Sequence, residues 1–414
     1  MISFTRTTLS NGLTVICHTD RSTPFVSVNI LYKVGSRNEQ PDKTGFAHLF
    51  EHLMFGGSLH IPDYDRHVQA AGGESNAYTT NDLTNYYITI PAANIETALW
   101  LESDRMAGLQ FSQHALEVQR QVVIEEFKQR YLNNPYGDIW LKLRPLAYKV
   151  HPYRWATIGV SPEHIERARL EDVEAFFHRY YAPNNAILAI SGNIKEEDAF
   201  RLVEKWFGDI PPSHAFQDRI PQEPVQTEER RLVSEDNEVP ADAIYKVFHM
   251  QGRDSRNFYI CDTISDILSN GQSARLYVNL IKNSRLFSGI DAYVTGDMDP
   301  GLFIFSGKLS EGTDIQKAEA AIDEEISKFI DSPITERELQ KIINKTEARI
   351  AYSEINYQNK ANNLAFFEYL GDIHLINTEA SRYRDISVNM IKATAQDIFR
   401  RENSSTLYYL KKTK

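Results

Sequence analysis

The sequence predicts an α+β chain of two homologous domains, each a mainly antiparallel sheet packed with helices. Three observations carry this expectation. The 414 residues exceed what one ordinary hydrophobic core accommodates. Residues 208–230, GDIPPSHAFQDRIPQEPVQTEER, hold no sustained apolar period and are rich in Pro, Gln and charge, the composition of an interdomain linker. The same order of strands and helices is legible on both sides of that stretch, offset by about 214 residues. The domains are therefore placed at 1–210 and 231–414, with the linker at 211–230.

The elements follow in order. The opening MISFTRTTLSNGLTVICHTD reads as strand, turn at Asn11-Gly12, strand, a β-hairpin. FVSVNILYKVG (25–35) alternates apolar and polar residues and is the next strand. Helices are expected at 44–55 and 63–71, strands at 75–80 and 84–90, and helices at 92–107 and 112–134. In the second half AIYKVFHMQG (243–252) is the matching strand, followed by helices at 255–268 and 273–283, strands at 289–294 and 302–308, and a helix at 313–329. Strands grouped together, with helices grouped between them, argue against an alternating βαβ fold.

Composition narrows the function. With 21 Phe, 21 Tyr and 4 Trp the chain has ample apolar area to bury, which excludes disorder as its main state. The net charge of −11 argues against general nucleic-acid binding, since phosphate neutralisation needs a basic face. The cysteines Cys17 and Cys261 are too few for a disulfide framework and read as buried thiols of a reducing compartment. The N-terminus lacks the apolar core of a secretory signal, and no apolar run is long enough to cross a membrane, so the expected address is cytoplasmic.

The first chemical signal is His48-Leu49-Phe50-Glu51-His52 within TGFAHLFEHLMFGG. Thr44 is expected to cap this helix and Gly56-Gly57 to stop it. His48 and His52 are four apart and share a face, with Glu51 beside it. The other positions, Phe46, Ala47, Leu49, Phe50, Leu53 and Met54, make the helix apolar almost all round, and hence buried. Two imidazoles and a carboxylate there need partners to offset desolvation. Zinc is the economical partner, since it accepts neutral imidazoles and a carboxylate while keeping a position for water; the competing reading is that both histidines hydrogen-bond within the core. A Glu that is not a ligand then takes the water's proton. The third ligand is expected downstream, on the helix 112–134, which carries adjacent Glu125 and Glu126. At 100° per residue Leu116, Val123, Ile124, Phe127 and Tyr131 form an apolar stripe, bordered by Ala115, Gln119, Val122 and Glu126. Glu125 shares its side with His114, Gln121, Lys128 and Leu132, which is mostly polar, so Glu126 is the inward-facing acid, with a metal or an Arg salt bridge as its expected partner.

HLFEH followed by RQVVIEEF resembles the pitrilysin/insulinase family of zinc peptidases, the inverzincins, in a small bacterial processing-peptidase-like form. VGSRNE (34–39), GGESNAYTTNDLTNYY (72–87) and YAPNNAILAISGNI (181–194) extend the resemblance over nearly the whole chain. It implies that His48, His52 and Glu126 bind one Zn²⁺ per chain and that Glu51 is the general base. It also implies that the two domains form half of a clamshell. By the same resemblance a peptide substrate adds as a strand to a sheet edge at Asn76, Ala77 and Tyr78. The bland reading of this segment is that Asn76 and Thr79 only satisfy the local backbone.

Two departures from the family pattern stand out. Many members carry a Glu seven residues before the ligand Glu; here that place is Gln119, on the same face as Glu126, where it can support the site without charge. The family's second half often offers the substrate an Arg and a Tyr. In LIKNSRLFSGI (280–290) Ile281 and Ser288 stand at those places, with Arg285 and Tyr293 out of register. The second half also places Asp262, Ser265 and Asp266 opposite His48, Glu51 and His52, as a copy without metal. The resemblance thus implies a homologous partner subunit that supplies the Arg/Tyr pair, with a homodimer as the competing assembly. A non-enzymatic core or peptide-binding subunit of the same fold is the alternative function.

Overall fold

The computed structural model describes residues 1–214, 218–332 and 334–412; part of the expected linker, residues 215–217, lies outside them. Strands β1 (Thr5–Thr8), β2 (Thr14–Thr19), β3 (Phe25–Tyr32), β4 (Glu74–Thr79), β5 (Thr84–Pro91) and β6 (Ala186–Gly192) form one sheet. Strands β7 (Arg230–Asp236), β8 (Ala243–His249), β9 (Phe287–Val294), β10 (Leu302–Leu309) and β11 (Ser404–Lys411) form the other. Both sheets are packed with helices, so the chain is α+β with two sheets.

The sheets run β1-β2-β6-β3-β5-β4 and β7-β11-β8-β10-β9. With β1 set aside, the orders correspond strand for strand. The strand senses correspond too: β2 pairs β6 in parallel as β7 pairs β11, and the remaining neighbours are antiparallel. The offset repeat in the sequence is thus a repeat of topology. β1 and β2 form the N-terminal hairpin, with Thr8 opposite Thr14 and Gly12 in the turn.

The chain divides into two compact units, and neither is a continuous half. One comprises residues 1–128, 155–220 and 351–378; the other comprises 129–154, 221–350 and 379–414. The division into 1–210 and 231–414 therefore overlooks two exchanged segments. Each carries a helix whose buried apolar residues pack with the sheet of its unit. In the first unit the helix Tyr357–Leu370 buries Ala361, Leu364, Ala365 and Phe367 with Ile16, Leu31, Ile187 and Ala189. Ion pairs of Lys360 with Asp20 at 2.6 Å and Arg6 with Glu368 at 2.7 Å fix its register. The Lys360 hydrogen bond holds the Asp20 carboxyl well below the usual range. In the second unit the helix Ile139–Ala147 buries Ile139, Leu143 and Ala147 with Tyr245, Val247, Ile304 and Leu407.

Most expected elements lie within a few residues of the observed ones. The helix expected over 112–134 is α-helical at Gln113–Phe127 and continues as a π-helix over Lys128–Leu132. That expected over 273–283 ends in a π-helix, Tyr277–Asn283. Among the described residues no helix is long and apolar enough to cross a membrane.

Two expected results follow from the cores. Cys17 and Cys261 are both free and fully buried, and burial pushes each thiol up to about 12. Thiolates are the reactive form, so a thiol-specific chromogenic reagent should count no cysteine in the native chain and two after denaturation. In the second unit Glu319 is buried beneath β7, β8 and β11. It accepts from Arg231 Nη1 at 2.8 Å, Arg231 Nη2 at 2.9 Å and Lys246 Nζ at 3.2 Å, and from the Tyr408 hydroxyl. Burial alone would raise this carboxyl, but the donors outweigh it and hold it at about 2, against 4.5 for a free glutamate. A depressed folded-state pKa gives stability that is present above 4.5 and lost as pH falls through about 2. Glu319→Gln should lower unfolding free energy at neutral pH by about 2 kcal/mol and flatten the acid loss in that window, as read by denaturant titrations at stepped pH.

Candidate metal centre

The helix Phe46–Leu53 is placed by its apolar residues: Phe46, Ala47, Leu49, Phe50 and Leu53 are buried, while the His48 and His52 side chains keep 12% and 24% exposure. Its start differs from the expectation. Gly45, not Thr44, is the N-cap, with φ of 90°. A Cβ there would lie 2.5 Å from the carbonyl oxygen of Ile158, so the turn needs glycine. Glycine has no side chain to cap with, and buried Glu39 does so instead, accepting Gly45 N–H on Oε2 at 2.9 Å and Ala47 N–H on Oε1 at 2.8 Å. Burial pushes the Glu39 carboxyl up, against the pull of these N–H donors. The Thr44 hydroxyl accepts from Val160 N–H at 3.0 Å and meets His164 Nδ1 at 2.8 Å.

The helix Gln113–Phe127 begins at Ser112, whose hydroxyl accepts from Ala115 N–H at 3.1 Å. Leu116, Val123, Ile124 and Phe127 are buried, Tyr131 is half-buried, and Val122 is exposed. Glu125 points outward and pairs with Lys128 at 2.7 Å. Glu126 points to the histidines: its Oε2 lies 3.3 Å from His52 Nε2 and 3.7 Å from His48 Nε2.

One ligand atom from each of His48, His52 and Glu126 lies within 4.8 Å of the others, and among the described residues this is the one cluster of at least three such side chains. Ligand atoms around a tetrahedral ion with bonds of about 2.1 Å stand about 3.4 Å apart. The two nitrogen–oxygen separations bracket that spacing, whereas 3.7 Å is too long for a hydrogen bond. Two imidazoles and one carboxylate, part-exposed on one side, fit zinc with a position left for water.

Glu51 lies on the same helix outside the donor cluster, and its Oε2 accepts from the Thr79 hydroxyl at 2.6 Å. Thr79 ends β4, which among the described residues pairs with β5 alone and is the sheet's outer strand. Asn76 is exposed there and accepts Ala77 N–H on its Oδ1 at 2.8 Å, Ala77 is half-buried, and the half-buried Tyr78 donates to Asn362 Oδ1 at 2.7 Å. Gln119 rests against Gly56, where an added Cβ would lie 3.6 Å from its amide nitrogen. The contacts of Glu39 and Thr79 are not legible in the segments VGSRNE and NAYTT alone. The signals were a glycine where a capping residue belongs, and a hydroxyl at the end of the edge strand.

In the second unit the helix Arg256–Ser269 carries Asp262, Ser265 and Asp266. Asp262 accepts from the Tyr383 hydroxyl at 2.7 Å and stands 3.6 Å from Arg349; Asp266 accepts from Asn270 at 2.7 Å. Burial pushes the Asp266 carboxyl up. Protein cations and donors face these acids where the first unit assembles three metal-type donors. Ile281 lies in the π-helix and Ser288 in β9, donating to the Lys308 carbonyl at 3.2 Å; Arg285 and Tyr293 are exposed.

Comparison with known proteins adds to this geometry. The family model described as Insulinase (Peptidase family M16) matches residues 14–136, and that described as Peptidase M16 inactive domain matches residues 167–346. The zinc protease PqqE of Helicobacter pylori is 29% identical over 409 residues, 97% of this chain and 91% of that protein. A probable mitochondrial-processing peptidase subunit beta of Schizosaccharomyces pombe is 30% identical over 210 residues, 50% of this chain and 45% of that protein. The crystal structure of a protease from Helicobacter pylori is similar with a TM-score of 0.93 and 28% identity, over 99% of this chain and 100% of that one.

Proposed function

The chain belongs to the insulinase family, peptidase family M16, and on that premise we propose that it is a zinc-dependent endopeptidase acting on peptides or unfolded segments. The observation that carries the reading is the convergence of His48, His52 and Glu126 beside a non-ligand carboxylate, Glu51. Those three residues would hold one zinc per chain. When bound, zinc supplies Lewis-acid polarisation of the scissile carbonyl and an acidified water. Glu51 accepts the water's proton as attack proceeds and delivers it to the leaving amine. No covalent enzyme intermediate is required.

The substrate adds to the outer edge of β4 along Asn76, Ala77 and Tyr78, so that main-chain hydrogen bonds give affinity with little reading of sequence. Asn76 occupies Ala77 N–H in the absence of peptide, which covers an edge donor. Gln119, on the same helix as Glu126, supports the site by packing that helix against Gly56. Ile281 and Ser288 leave this chain without the Arg/Tyr pair, and the named relative that is a processing-peptidase subunit supports a homologous partner that supplies it. The chain is then the catalytic subunit of a dimeric clamshell, its units being a metal-bearing copy and a metal-free copy. Two free buried thiols support a reducing, cytoplasmic address. A second reading, a non-enzymatic core or peptide-binding subunit, is favoured by the inactive-domain match over 167–346. Purifying the chain with and without its nearest homologous neighbour and measuring zinc and peptide cleavage separates the two. Zinc with cleavage supports the peptidase, and zinc without cleavage in either preparation supports the second reading.

A further inference from the structure

We propose that Thr79 is a positioning residue for the general base, and that it ties the peptide-accepting strand to the orientation of Glu51. The inference rests on the peptidase reading above and adds a residue to it. Thr79 Oγ1 donates to Glu51 Oε2 at 2.6 Å across 28 positions of sequence. One carboxylate oxygen is thereby engaged, and rotation about the terminal bond of Glu51 is restricted.

The donor is itself held in place. Thr79 pairs with Thr84 at the closed end of the β4–β5 hairpin, and Thr80 N–H donates to the Leu83 carbonyl at 2.8 Å to close the turn. Behind the turn, Ser36 N–H donates to the Thr80 carbonyl at 3.2 Å and Arg37 N–H to the Asn81 carbonyl at 2.9 Å. Arg37 pairs with Asp82 at 3.0 Å. A Cβ at Gly35 would meet the Asn81 carbonyl at 2.5 Å, so the two segments are in backbone contact that only glycine allows. β-Branching limits Thr79 at χ1 as well. The hydroxyl is thus fixed before substrate arrives, and it lies on the strand that Asn76, Ala77 and Tyr78 offer to the peptide. A peptide paired along β4 and a base held from the end of β4 share one rigid frame. Such preorganisation lowers the barrier without strengthening ground-state binding.

The test uses the full chain, with its homologous partner present where turnover requires it, and compares Thr79→Val, Thr79→Ser and Glu51→Gln with the double variant Glu51→Gln/Thr79→Val. Thr79→Val keeps the branched shape and removes the donor. It should lower kcat by about 10- to 100-fold, with KM within about twofold and zinc still at one per chain. Thr79→Ser, which retains the hydroxyl, should recover most of the turnover. In the Glu51→Gln background Thr79→Val should have no further effect on residual turnover, since the group it positions is gone. Wild-type kcat in Thr79→Val overturns the proposal. So does a loss of equal size in both backgrounds, or a loss of zinc on removing the hydroxyl. A wild-type chain that holds zinc but cleaves nothing with or without its partner overturns the peptidase reading, and the role of Thr79 with it.

Discussion

Glu51→Gln is expected to leave zinc at one per chain and to reduce peptide turnover by about a thousandfold or more. The substitution keeps size and shape, and the Thr79 hydroxyl still finds an oxygen to donate to. The amide cannot take a proton. Glu51 lies outside the cluster formed by His48, His52 and Glu126, so the proposed metal-binding set is untouched. Zinc stoichiometry and turnover measured on the same preparation check both halves. Retained turnover removes Glu51 from the chemistry, and lost zinc makes it a ligand.

The second large effect concerns the donors. His48→Ala leaves His52 and Glu126, and a two-donor site binds zinc too weakly to survive dialysis. Zinc per chain should fall from one to near zero, and turnover should fall with it. Glu126→Gln should do the same, because its Oε2 faces both imidazoles. Glu125→Gln is the matched control on the same helix. Its carboxylate is exposed and paired with Lys128, an arrangement contributing about 1 kcal/mol at most, so zinc and turnover should be unchanged. A Glu125→Gln variant that loses zinc would mean that the neighbouring acids are exchanged in role.

The contrast between Glu125 and Glu126 was legible in the sequence because helical periodicity is a local property: neighbouring positions differ by 100°, enough to separate an outward from an inward carboxylate. The pairing of His48 with His52 was legible for the same reason. The repeat was legible as an offset in element order, and the strand orders of the two sheets reproduce it. What remained hidden depends on distant parts of the chain. The helix Tyr357–Leu370 carries apolar residues on no single face, so no periodicity assigns it to a sheet, and yet it completes the first unit. Residue preference points to Thr44 as the cap of the helix Phe46–Leu53, but a left-handed Gly45 displaces the start and brings Glu39 into reach, a backbone feature that residue preference does not encode. The Thr79–Glu51 bond joins a strand end to a helix, and no spacing rule relates them.

The most direct test of the account is cleavage of an unfolded polypeptide by chelator-stripped chain as zinc is returned in measured equivalents, with the homologous partner present where turnover requires it. The account predicts no cleavage in the stripped protein and a rise that saturates at one zinc per chain. Cleavage that persists without metal, or a chain that fills with zinc and cleaves nothing in either preparation, would contradict it.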